Sequence, residues 1–209
     1  MNLSQVLQGI PYEKAVKYNE DTEISTVRID SRLIQKGDVF VALSKGREDG
    51  HDYISDAVCR GAVAIICERA IENLKVAQII VKDTRTALSC MAANFYGNPQ
   101  KRLKIIGVTG TNGKTTTCHF LWKIIAKSGK KAGLIGTLGA KFDDKQSSDG
   151  MTTPDPMELF SLLADMEKEG AEYVVMEVSA HAIYYNKENA ILYTACIFTN
   201  CTHEHLDFF

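Results

Sequence analysis

The run Gly110-Thr111-Asn112-Gly113-Lys114-Thr115-Thr116-Thr117 sets a glycine-rich turn between the apolar stretch Leu103 to Val108 and a helix-like stretch from Cys118 to Lys127. Residues of these types in this order suit the phosphates of a nucleotide. Glycines at 110 and 113 allow φ > 0 and turn successive N–H groups inward, and the helix that follows adds its positive N-terminal end. Lys114 would reach the terminal phosphates. The Thr115 hydroxyl is placed for Mg²⁺, a hard cation usually held jointly by protein oxygens and phosphate. Gly110, Thr111, Asn112, Gly113, Lys114, Thr115 and Thr116 are therefore the candidate phosphate-binding residues. The strict pattern G-x-x-x-x-G-K-[ST] asks for a glycine where this chain has Val108, so the loop is a shorter variant.

Glu177 ends the run Tyr173-Val174-Val175-Met176, which puts a carboxylate at the end of a strand opposite the phosphate loop, where it could hold Mg²⁺ or its water. Thr152-Thr153-Pro154 stands before a helix, and N-capping alone would account for it. His203-Glu204-His205 has too few neighbouring ligands for a zinc site and reads as a polar loop at the mouth of the nucleotide site. Nearer the N-terminus, Arg32, Lys45 and Arg47 could meet a phosphate-bearing ligand; an ordinary turn with solvated charges is the competing reading.

The elements that would position these groups fall into two blocks. From Thr26 to Val81 short apolar runs alternate with a helix-like segment around Tyr53 to Arg60, and a longer helical pattern covers Thr84 to Tyr96. Gly97-Asn98-Pro99 stops that helix, which places a boundary near residue 98 between a small α/β domain (1–98) and a second domain (99–209). The second block reads strand 103–108, phosphate loop, helix 114–128, strand 131–137, a polar loop, helix 156–169, strand 172–178 and strand 192–198. Such alternation predicts a mostly parallel sheet with ligands at the carboxyl ends of its strands.

The 209 residues carry 45% apolar and 24% charged side chains and a net charge of −2. A real core can form, and the charge offers no general attraction to nucleic acid or anionic membrane. The start Met1 to Ile10 lacks the pattern of a signal peptide and no apolar run reaches eighteen residues, so a cytoplasmic protein without membrane insertion is expected. The six cysteines form no C-x-x-C pair, and several lie in apolar runs such as Ile65-Ile66-Cys67 and Ala195-Cys196-Ile197, which predicts reduced, buried thiols.

Taken in order, Asp30-Ser31-Arg32 with Gly37 to Ala42, Asp49-Gly50-His51 before Gly61-Ala62-Val63-Ala64, Thr109 to Thr117, Thr152-Thr153-Pro154, Glu177-Val178-Ser179 with His181, and Phe198-Thr199-Asn200 followed by His205-Leu206-Asp207 resemble the Mur ligases. Within that family the match is to the UDP-N-acetylmuramoyl-tripeptide synthetases, and it extends over nearly all of the chain.

The resemblance implies an ATP- and Mg²⁺-dependent amide ligase of peptidoglycan precursor synthesis. Its substrates would be UDP-N-acetylmuramoyl-L-alanyl-D-glutamate and an amino acid, meso-diaminopimelate or L-lysine, joined through an acyl phosphate. It assigns ATP to Gly110 to Thr116, a charge-neutralising role to Lys114, magnesium to Thr115 and Glu177, and a place near the nucleotide to His205. Ser31 and the loop Gly46, Arg47 and Glu48 would bind the uridine diphosphate, while Thr152, Thr153 and Ser179 face the muramoyl-dipeptide. Where many relatives carry glutamine and arginine, this chain has Tyr185 and Lys187; lysine keeps the charge but loses the bidentate fork. The family's further lysine and C-terminal domain have no counterpart here, which predicts an incomplete central domain that does not ligate alone. The competing readings are a UDP-sugar or ATP binding module without turnover, and another ligase with the same loop, such as folylpolyglutamate or cyanophycin synthetase.

Overall fold

A computed structural model describes residues 1–44, 48–147 and 151–202. The chain divides into two compact units, Met1–Phe95 and Tyr96–Phe209.

The first unit is built on strands β1 (Lys14–Val16), β2 (Val27–Arg28), β3 (Val39–Val41), β4 (Ala64–Cys67) and β5 (Ala77–Ile80), with helices α1 (Leu3–Val6), α2 (Ile54–Arg60) and α3 (Thr84–Phe95). The sheet order is β1-β5-β4-β3-β2, parallel except for β1, which runs against β5. β3, β4 and β5 are buried along their whole length, as strands of a parallel sheet covered on both faces should be; β3 and β4 are unbroken apolar runs, and the one polar residue of β5, Gln78, is hydrogen-bonded to the Ile71 backbone. Ile34, Phe40, Ile54, Ala57, Ile65 and Ile80 meet in one core cluster. The short strand β1 escapes a reading based on apolar runs because its residues are only partly buried.

The second unit contains β6 (Lys104–Thr109), α4 (Lys114–Lys127), β7 (Ala132–Gly136), β8 (Gly139–Phe142), β9 (Lys145–Gln146), α5 (Pro156–Lys168), β10 (Tyr173–Glu177), α6 (Ala180–Tyr184) and β11 (Tyr193–Phe198). Its sheet order is β11-β6-β10-β7-β8-β9. The four strands from β11 to β7 are parallel, so the sheet is mostly parallel as the alternation predicts. The segment expected to be a polar loop after β7 instead turns back as the antiparallel hairpin β8–β9. β8 packs beside β7 with Ala140 and Phe142 buried, whereas β9 is exposed, and two exposed residues give no periodicity to read.

α4 packs through Cys118 on Val108, Leu134 and Val175, with Leu121, Trp122 and Ile125 at the margin of that cluster. Trp122, the only tryptophan, donates Nε1–H to the Ala132 carbonyl at 2.7 Å. None of the six cysteines forms a disulfide, and the expectation that they are buried holds only in part. Cys67 and Cys118 are buried, while Cys59, Cys196 and Cys201 are exposed. Cys196 is exposed because β11 is the edge of its sheet, so its apolar run is not covered. Among the described residues no helix is long and apolar enough to cross a membrane.

Candidate nucleotide site

The centre of the second sheet sets the site. β6 runs between β11 and β10 with Phe198 opposite Thr109 and Glu177 opposite Val108, so three carboxyl ends stand in one row. The phosphate loop leaves the middle of that row. Gly110 has φ +126°, and a Cβ there would lie 2.3 Å from Thr199 Oγ1 and 2.7 Å from the Asn200 carbonyl, so only glycine fits this turn. α4 begins directly after Gly113, and helix geometry leaves the first amides of Lys114, Thr115 and Thr116 without an intrahelical acceptor. Those amides and the helix dipole make an anion site.

Lys114 folds back over the loop and donates to the Gly110 carbonyl at 2.7 Å and the Thr111 carbonyl at 2.8 Å. Its charge therefore already stands at the mouth of the turn. Glu177, 2% exposed, accepts from Thr115 Oγ1 at 2.9 Å, from the Thr137 amide at 3.0 Å and from Thr137 Oγ1 at 3.1 Å. Gly136 permits this: a Cβ there would come within 2.2 Å of Glu177 Oε1. Among the described residues the carboxylate is held by hydroxyls and an amide rather than by a positive side chain. A hydroxyl and a carboxylate side by side are hard oxygen donors. Among the described residues no group of three His, Cys, Asp or Glu gathers to form an all-protein cage, so a cation here would take its remaining ligands from phosphate and water. Burial, with the Glu177 charge adding to it, pushes the nearby Cys118 thiol up to about 12.

A cavity of about 740 Å³ opens on this row, and its walls include Gly110, Lys114, Thr153, Ser179, Lys187 and Asn200. That volume is in the range of small-molecule sites. The threonines before α5 do not cap it: Asp155 holds the N-cap position with Pro156 after it. Thr153 Oγ1 instead donates to the Glu177 carbonyl and accepts from the Ser179 amide, both at 3.0 Å, and Thr152 Oγ1 lies 3.1 Å from Thr137 Oγ1. Ser179 caps α6, accepting from the Ala182 amide at 3.1 Å. Lys187 pairs with Asp155 at 2.8 Å at the cavity wall, and Tyr185 closes α6 with its ring edge-on to Tyr184.

Ser31, Arg32 and Glu48 belong to the first unit. Ser31 is buried in a 3-10 turn of the first unit, and the Glu48 carboxylate accepts from the Tyr53 hydroxyl at 2.8 Å. Arg32 is engaged by Asp30 at 2.7 Å, in a pair that holds the aspartate below its ordinary range. Asp49 accepts from the amide and Nδ1 of His51, whose Nε2 accepts from the Glu68 amide at 2.9 Å, so the motif Asp49-Gly50-His51 fixes a turn. Lys45, Gly46, Arg47, His203 and His205 lie outside the described residues.

Sequence reasoning missed Thr137, Asp155, Thr199 and Asn200 as parts of the site. Thr137 and Thr199 each follow a parallel strand at the same sheet edge as Glu177, and that position was the available signal. Asp155 gave none, since its partner is 32 residues away in sequence.

The family model described as the Mur ligase middle domain matches residues 108–209, and that described as the Mur ligase family, catalytic domain, matches residues 23–96. The chain belongs to the Mur ligase family. It is 42% identical to the UDP-N-acetylmuramoyl-L-alanyl-D-glutamate–2,6-diaminopimelate ligase of Clostridium botulinum over 100% of this chain and 44% of that protein. The chain thus spans less than half the length of the curated relatives it matches. Among solved structures, one of a UDP-N-acetylmuramoyl-L-alanyl-D-glutamate–2,6-diaminopimelate ligase superposes with a TM-score of 0.78 at 23% identity, covering 99% of this chain and 42% of that one, a likeness of fold. The MurF ligase of Thermotoga maritima in complex with ADP superposes at 0.57 with 27% identity over 90% of this chain and 39% of that one.

Proposed function

We propose that this Mur ligase chain supplies the UDP-sugar-binding and ATP-binding domains, residues 1–98 and 99–209, of an ATP-dependent amide ligase. The ligase joins meso-diaminopimelate to UDP-N-acetylmuramoyl-L-alanyl-D-glutamate. The observation that carries the reading is 42% identity, along the whole chain, to relatives named for that reaction. The row of Lys114, Thr115 and Glu177 at one sheet edge supports it chemically, and the relative with bound ADP supports the nucleotide.

In this reading the D-glutamyl carboxylate oxygen bonds to the γ-phosphorus of ATP as the bond to the bridging oxygen breaks, and ADP leaves. The amine nitrogen then bonds to the acyl carbon, loses a proton, and phosphate leaves. An amine does not displace an oxide from a carboxylate, so activation is required, and the protein's task is positioning and charge neutralisation. Gly113 to Thr116 present amides to the phosphates and Lys114 turns from the loop carbonyls to the terminal phosphate. Thr115 and Glu177 would hold Mg²⁺, which when bound offsets phosphate charge. Thr152, Thr153, Ser179 and Lys187 line the acceptor side, and Ser31 and Glu48 belong to the uridine diphosphate side.

Calorimetric titration tests the reading. Saturable binding of UDP-N-acetylmuramoyl-L-alanyl-D-glutamate, of UDP alone, and of ATP with Mg²⁺ is expected. Binding of ATP without any binding of UDP would move the chain to a Mur-type ligase of a different substrate, and failure of both in folded protein would overturn the proposal.

A further inference from the structure

The segment that follows β11 is tied to the phosphate loop by its own hydrogen bonds. The Asn112 amide donates to Asn200 Oδ1 at 2.9 Å, and Asn200 Nδ2 donates to the Asn112 carbonyl at 3.1 Å. A side-chain amide thus pairs with one backbone residue in both directions, and this pairing fixes which end of the amide is which. Thr199 Oγ1 donates to the same carbonyl at 2.7 Å, the Thr111 amide donates to the Asn200 carbonyl at 2.9 Å, and the Thr202 amide donates to Thr111 Oγ1 at 3.0 Å.

These bonds divide the loop. The amides of Thr111 and Asn112 are taken by the strap, so a phosphate is left with those from Gly113 onward. The peptide plane adds an aiming effect. A trans peptide directs its C=O and its N–H to opposite sides, so holding the Asn112 carbonyl against Thr199 and Asn200 turns the Gly113 N–H away from them. The strap therefore orients the first donor of the receptive half, next to the free amides of α4.

We infer that Asn200 is a positioning residue for the phosphate loop: through Asn112 it aims the Gly113 amide at the nucleotide's phosphates, and it touches no phosphate itself. The inference rests on the ATP-binding reading above. It deepens that reading by separating residues 110–112, which are held, from residues 113–116, which bind.

The test is the full chain carrying Asn200→Ala, with two readouts. Titration with ATP, ADP, AMP and adenosine should show about a tenfold loss of affinity for ATP, shrinking as phosphates are removed and vanishing for adenosine, the size expected if re-positioning the loosened loop costs about as much as one ordinary hydrogen bond. Amide hydrogen exchange without nucleotide should quicken at Thr111 and Asn112 while amides of the first unit keep their rates. An equal loss for adenosine and ATP, or exchange at Thr111 and Asn112 unchanged from the unsubstituted chain, would overturn the positioning role. Failure of the unsubstituted chain to bind ATP while exchange at those amides does quicken would instead overturn the functional reading and leave the loop strap standing.

Discussion

Replacing Gly136 by alanine inserts one methyl group against the buried carboxylate of Glu177. The new Cβ would stand 2.2 Å from Oε1, 2.8 Å from Cδ and 2.9 Å from Cγ, so the carboxylate must withdraw by about 1 Å to reach ordinary contact. Its bonds to the Thr137 amide and hydroxyl and to the Thr115 hydroxyl, now 3.0, 3.1 and 2.9 Å, cannot all survive that movement. Breaking one hydrogen bond to a charged, buried group costs about 1.5–3 kcal/mol, and overpacking adds about 1–3 kcal/mol, so a loss of about 2.5–6 kcal/mol is expected. Trp122 gives the assay, because the only tryptophan lies in the second unit and its fluorescence follows the unfolding of that unit. With a urea dependence of about 2 kcal/mol per molar, the midpoint should fall by roughly 1–3 M. Gly129→Ala is the control: φ is +82° with nothing within 4 Å of a Cβ, so backbone strain of about 1 kcal/mol acts alone. A Gly136→Ala midpoint no lower than that of Gly129→Ala would refute the steric reasoning. Mg²⁺-dependent ATP binding that survives in Gly136→Ala would refute the role given to Glu177.

Lys114→Ala should weaken ATP binding by on the order of a hundredfold, checked by calorimetry, because it removes the side-chain cation that folds over the loop carbonyls. Iodoacetamide labelling followed by mass spectrometry should modify Cys59, Cys196 and Cys201, while Cys67 and Cys118, whose thiols burial pushes up to about 11 and about 12, resist in the folded chain. ATP should slow labelling of Cys201, which lines the cavity, and leave Cys59 unchanged. Hydrogen bonding from the His51 amide, with help from its ring and Arg69, lowers the Asp49 carboxyl to about 2. A depressed acid stabilises above its unfolded value near 3.9 and stops doing so as pH falls through about 2, so the urea midpoints of Asp49→Asn and the unsubstituted chain should differ at pH 7 and converge near pH 2.

The parallel core of both units could be read in advance because strands such as Val39–Val41 and Tyr173–Glu177 are apolar runs bounded by turn residues, and burial on both faces demands that pattern. Strand β1 and the β8–β9 hairpin could not, since an edge element with few buried residues carries no period. The phosphate loop was legible because its chemistry is local: glycines, lysine and threonine act within eight residues of one another. Thr153 and Asn200 stand in motifs the resemblance singles out, but their hydrogen-bonding partners lie 24 and 88 positions away, and no local pattern shows which groups they hold. Arg32 is the opposite case: its partner Asp30 lies only two residues away, and charge counting alone does not show that the pair closes on itself.

The row formed by the ends of β11, β6 and β10 also decides where this chain tolerates a change of length. Each residue advances a strand by about 3.3 Å, so one residue added within β6, β10 or β11 would carry Gly110, Glu177 or Asn200 a full step out of line with the other two, and turn every following side chain to the opposite face. The β8–β9 hairpin stands beyond β7 at the far side of the sheet, and its tip carries none of those groups. Lengthening and shortening should therefore be absorbed at that tip, which makes it the place to insert a tag or a reporter without disturbing the phosphate loop.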